Sequence, residues 1–163
     1  MSKVAAIQMA SGPNVDANLH EAGRLIAQAT AAGAELIVLP ENFAIMGIEE
    51  SDKIAVREAQ GDGPIQTFIS DQAKHHNTWI VGGTIPLECD DPNKILAACM
   101  VYDNKGNFIE RYDKIHLFDV DLVDTGEKYI ESETIEFGSR DLKVVDSPFG
   151  KIGLEVCLYL IKI

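Results

Sequence analysis

The chain has 163 residues, of which 46% are hydrophobic, and a formal charge of -12 at pH 7. That is about one domain, with enough apolar content for a core, while a strongly acidic chain with no run of Lys or Arg lacks the positive footprint that nucleic acid or an anionic membrane requires. Three cysteines (Cys89, Cys99 and Cys157) without paired spacing indicate neither a disulfide framework nor a zinc site. A reducing cytoplasm is the expected location. The apolar stretch in MSKVAAIQMASG is too short for a signal peptide, and nowhere do about 18 uncharged apolar residues run together, so no membrane span is expected.

In chain order, VAAIQM (4–9) has strand length and is apolar on both faces apart from Gln8, which predicts an inner strand covered on both sides. The turn cluster SGPNVD can cap a helix, and Leu19, Ala22, Leu25, Ile26 and Ala29 then recur at helical spacing up to Gly33, a residue suited to the left-handed position past a helix end. ELIVLP (35–40) predicts a buried strand halted by Pro40, which cannot donate to a ladder. After GDGP come a second helix, 64 to about 76, and a second buried strand, TWIVGG (78–83). Strand, helix, strand, helix, strand is an α/β pattern with a parallel sheet at its start.

From about residue 95 the pattern becomes mostly β. ILAACMVYD and GNFIERYD flank Asn104, Lys105 and Gly106 and predict a hairpin. Further strands are expected at TIEFG, DLKVVDS and KIGLEVC, with Cys157 at the end of the last.

Several residues have both a plain and a chemical reading. Glu41 directly follows the strand ELIVLP, at the end where α/β proteins place catalytic groups, yet alone it reads first as a loop cap. Lys114, in RYDKIHLFD, is wedged between the hairpin and an apolar segment, where an ammonium needs a carboxylate partner unless it reaches the surface. Cys157 suits either a small core side chain or a nucleophile exposed by the turn after a strand. His75 and His76 end a predicted helix and complement its dipole there, and His116 has no Cys or His at ligand spacing, so no metal is expected. Cys99 is expected in the core and Cys89 in an exposed loop. Phe43 and Met46 could line a pocket or pack a loop.

Together, LPENF around Glu41, YDKIHLFD around Lys114 and GKIGLEVC around Cys157 resemble, in order and local sequence, the three motifs of the nitrilase superfamily of carbon-nitrogen hydrolases. VAAIQM, GDGPIQTFISDQAKHHNTWIVGGTIP and the hairpin are similar to it as well, so the resemblance covers residues 3 to 157. ENFAIMG, VGGTIPL and KIHLFDVD look most like the branch of ω-amidases and deaminated-glutathione amidases.

The resemblance implies an α/β fold, part of a four-layer αββα sandwich, and hydrolysis of a small carboxylic acid amide to acid and ammonia without a cofactor. Cys157 would attack the amide carbon, Glu41 would act as base and Lys114 would face the oxyanion. YIES matches the motif of a second, supporting glutamate at Glu131, whose plain reading is a solvated residue. A small ω-amide of a dicarboxylic or peptide-like acid is the implied substrate.

After Cys157 the family continues with Tyr-Asp, one further residue and Arg-Phe, whereas here Leu158 to Ile163 follow. The expectation is a single, C-terminally incomplete domain with a β-prone, aggregation-favouring tail. Its catalysis would be impaired or absent, and a homodimer would form only if the remaining half were supplied. A non-catalytic binding or scaffold remnant of the fold is the rival reading; assembly with a separately made second half is a third.

Overall fold

The computed structural model describes residues 2–122 and 127–157. The expectations placed on the tail 158–163 lie outside them. A mixed six-stranded sheet organises the chain. Strands β1 (Val4–Ala6), β2 (Leu36–Leu39) and β3 (Trp79–Gly82) run parallel. Strand β5 (Ile95–Tyr102) is antiparallel to β3 through its C-terminal half and to β4 (Ile85–Glu88) through its N-terminal half, and β6 (Phe108–Asp113) closes its other edge.

Two helices cover one face of this sheet. Helix α1 (Val15–Ala31) starts where Asn14 Oδ1 accepts the Ala17 N–H at 2.9 Å, satisfying one of the donors a helix start leaves without a partner. It ends as predicted, with Gly33 beyond it at φ 90°. A one-turn helix, α2 (Asp52–Ala55), had no sequence signal strong enough to announce it. Helix α3 (Pro64–His76) matches its predicted span, and Pro64 costs nothing at the first helical position because its missing N–H would have no intrahelical partner. The side chain of Glu58 caps it from a distance, accepting the N–H groups of Ile65 at 2.5 Å and Gln66 at 3.1 Å.

Alternation along the strands sorts side chains between two cores. Ile37, Leu39, Ile80 and Met100 point to the helices, where they meet Ala22, Ile26, Ile65 and Ile69. Leu36, Trp79, Val81, Cys99 and Val101 point the other way, toward a hairpin of β9 (Val144–Ser147) and β10 (Gly150–Gly153) that supplies Val145 and Ile152. A second small hairpin pairs β7 (Asp119–Leu122) with β8 (Glu127–Ile130), and a 3-10 turn follows at Glu131–Glu133.

Three expectations are corrected. TIEFG is not a strand; Ile135 makes one isolated bridge to Ile95, and Gly138 passes so close to the Asp113 carbonyl that an added Cβ would collide with it. The first strand is not covered on both faces. It is three residues long at the edge of the sheet, and Val4 is 59% exposed. Strand β10 stops at Gly153, so Cys157 sits beyond the strand in irregular backbone rather than at its end. Strands β4, β7 and β8 were missing from the sequence reading, because Pro86 argues against a strand and DVDL and EKYI are only four residues long and half charged. Among the described residues no helix is long and apolar enough to cross a membrane.

Candidate active site

Glu41 is placed by β2. The strand ends at Leu39, Pro40 stops the ladder, and the next residue turns out at the sheet's C-terminal end. The chain there leans on the β3–β4 connection. Gly83, at φ 45°, lies so close to the Pro40 carbonyl that an added Cβ would collide with it, and the Asn42 N–H donates to Thr84 Oγ1 at 2.8 Å. Buried Asn18 ties the far side of the same loop to α1, its Nδ2 donating to Gly12 O at 2.7 Å and Ala44 O at 2.9 Å. Glu41 is thereby anchored through its neighbours on both sides.

Lys114 follows β6 directly. Its N–H donates to Ala97 O and its carbonyl accepts from Gly138 N–H, both at 3.0 Å, so its backbone is held from two directions. The side chain is 1% exposed, and its ammonium donates to Glu41 Oε1 at 2.8 Å and to Glu131 Oε2 at 2.7 Å. Burial alone would push the lysine pKa down, but the hydrogen bonds to Glu131 and Glu41 outweigh it and hold the value above the usual 10.5. The group stays charged. Glu131 Oε2 also accepts the Phe118 N–H at 2.8 Å, and the Glu131 side chain is only 13% exposed, so it is not the solvated residue of its plain reading.

Cys157 is exposed, not buried in the core, and takes the left-handed conformation at φ 75°. Such a φ is uncommon for a residue with a side chain and marks a turn that presents its side chain outward. Cys157, Glu41, Lys114 and Glu131 all line one cavity of about 640 Å³. All four residues singled out in the sequence therefore meet at one place. A small neighbouring cavity of about 170 Å³, beneath the segment 155–157, again touches Glu41 and Cys157 and also buried Cys99. Burial pushes the Cys99 thiol up to about 12, so it carries no thiolate at neutral pH. A separate cavity of about 590 Å³, between Tyr112, Phe137 and Leu142, contains none of the four.

Sequence reasoning did not find the walls of the site. Ile48, Phe118, Lys128, Tyr129 and Glu133 line the larger cavity with Met46. Of these only Met46 was foreseen, while Phe43 is fully buried and packs the loop. The close approach at Gly83 is what the glycines of TWIVGG announce, since they let the backbone turn or come near another group. Among the described residues no group of three His, Cys, Asp or Glu side chains is arranged to hold a metal ion.

A helix-covered mixed sheet that places a carboxylate and a buried ammonium just past its strand ends, in one cavity with an exposed cysteine that lies beyond β10, belongs to the α/β class seen in the nitrilase superfamily. Nit3 of Saccharomyces cerevisiae, a member of branch 10 of that superfamily, superposes at TM-score 0.79 with 27% identity, over 96% of this chain and 55% of that one. The chain belongs to the carbon-nitrogen hydrolase family, whose model matches residues 3–159. It is 34% identical over 157 residues to the deaminated glutathione amidase of Yersinia enterocolitica, covering 96% of this chain and 54% of the relative. With omega-amidase NIT2-A of Xenopus laevis the identity is 32% over 161 residues, at 95% and 54% coverage. The chain spans about half the length of these curated relatives.

Proposed function

We propose that this site hydrolyses small linear amides to the carboxylic acid and ammonia through a thioester on Cys157. The observation that carries the reading is the bracketing of the buried Lys114 ammonium by Glu41 and Glu131 in the cavity that Cys157 also lines. Burying an ammonium is costly, and a buried ion pair is a weak way to stabilise a fold. Such a group in a cleft is what catalysis needs.

The chemistry follows from the groups present. The Cys157 thiol gives its proton to Glu41 as the sulfur attacks the amide carbon, and the carbonyl oxygen, now an oxyanion, is stabilised by Lys114. Glu41 passes the proton to the amide nitrogen, the C–N bond breaks, and ammonia leaves a thioester. Water, deprotonated by Glu41, attacks that thioester; the acid departs and the thiol is restored. Glu131 keeps Lys114 aimed and balances its charge. The names of the relatives, an amidase and an omega-amidase, support the reaction class.

Ammonia release by the 163-residue chain, measured beside Cys157→Ala and Lys114→Met, tests this. Release that disappears in both variants supports the reading. Release that survives Cys157→Ala, or a chain inert toward every amide, would overturn it for these 163 residues.

A further inference from the structure

The cavity's walls carry a charge pattern that bears on which amide it accepts, an inference that rests on the proposed function in that the amide must enter here. Among the described residues lining it there are five glutamates and two lysines. Glu41 and Glu131 are engaged with Lys114 at the floor. At the mouth stand Glu49, Glu50 and Glu133, all exposed, against the single ammonium of Lys128. Glu50 is paired with Lys53 at 2.8 Å, whereas Glu49 and Glu133 have no ion-pair partner among the described residues. Negative charge is therefore in excess at the entrance as well as over the whole chain.

A second, independent feature is apolar. Met46 and Ile48, 52% and 83% exposed, line the same cavity as Phe118 and Tyr129, 43% and 46% exposed, whose ring centroids lie 5.8 Å apart. Exposed apolar side chains gathered along a cleft suit an aliphatic stem, and ring faces attract a cation. Carboxylates around a cleft with low-dielectric walls concentrate cations and repel anions.

We propose that the site selects amides whose far end is an ammonium group on an aliphatic stem, the aminoalkyl amides, over ω-amides that end in a carboxylate. Glu49 and Glu133 are the specificity-determining residues. This departs from the dicarboxylic ω-amide implied by sequence resemblance. A carboxylate-ended amide has only Lys128 to meet it, against Glu49 and Glu133, since Glu50 is already paired with Lys53.

Two measurements on the 163-residue chain decide it. In the first, Cys157 is labelled with a cationic and an anionic thiosulfonate of equal size, read by mass spectrometry at Cys157 and normalised to the same reagents on a free thiol. The cationic reagent is expected to be favoured about tenfold at low salt. The preference should collapse in Glu49→Lys/Glu133→Lys and persist in Asp16→Lys/Asp71→Lys, which makes the same charge change on the helices. Equal labelling, or loss of the preference in the helix variant as well, overturns the proposal. In the second, ammonia release is compared for 5-aminopentanamide, pentanamide and the monoamide of glutaric acid, with kcat/KM expected to fall in that order. A faster anionic amide, slowed by Lys128→Met, would assign the specificity to Lys128 and sink the inference. If no amide is cleaved, the function reading fails while the labelling ratio still decides the charge preference.

Discussion

The ammonium of Lys114 lies 2.8 Å from Glu41 Oε1 although 73 positions separate the two residues in the chain. Lys114 belongs to the end of β6 and Glu41 to the end of β2, with β3 and β5 between those strands. Replacing Lys114 with Met leaves Glu41 and Glu131 facing each other without a counter-ion. The expected outcome is loss of ammonia release and a drop in stability at pH 7 of about 3 kcal/mol. Urea unfolding of the parent chain and Lys114→Met at pH 7 checks it.

Alkaline pH should act on the same group. Because the folded-state pKa of Lys114 is raised, the stability linked to its charge is full below the unfolded value of about 10.4 and is lost as pH rises through the folded value. Urea midpoints are expected to fall more steeply above pH 10 in the parent chain than in Lys114→Met. Identical alkaline limbs would contradict the pairing.

Gly83 is expected to tolerate no side chain. An added methyl meets the Pro40 carbonyl, and its φ of 45° is itself unfavourable for other residues. Gly83→Ala should destabilise by about 2–4 kcal/mol, and in the fraction that folds it should displace Glu41 and cut turnover about a hundredfold. Thermal unfolding and kcat report the two effects separately.

Cys157 holds a left-handed backbone, which costs an L-residue about 1–2 kcal/mol. Cys157→Gly is therefore expected to be about 1 kcal/mol more stable than Cys157→Ala, while both lose ammonia release. Equal stability would show that the strain is absent.

Glu58 is 5% exposed and accepts from two backbone N–H groups at the start of α3 and from the Gln66 side chain. Removing it in Glu58→Ala strands those donors, and the expected cost is about 3 kcal/mol. Hydrogen exchange at Ile65 and Gln66 should rise more than at Ile26, which lies inside α1.

How much of this was legible depended on the range of the cause. Helix α3 and the β5–β6 hairpin were readable because Pro64 and Asn104-Lys105-Gly106 set the backbone locally. TIEFG failed because its composition suits a strand while its pairing depends on what stands beside it, and it meets only one isolated bridge at Ile95 and one hydrogen bond to Lys114. The edge position of β1 was equally invisible, since apolar residues on both faces do not reveal how many neighbours a strand has.

For the site, the sequence by itself determined which residue types were available and their order, because Glu41, Lys114, Glu131 and Cys157 lie in short motifs readable without any fold. Only the tertiary structure decided that Lys114 is buried between two carboxylates, that Cys157 turns outward past β10, and that glutamates and apolar side chains share the cavity's mouth. The reason is physical. Burial, charge pairing and cavity shape arise between segments tens of residues apart, and sequence periodicity reports only what a segment does with its own backbone.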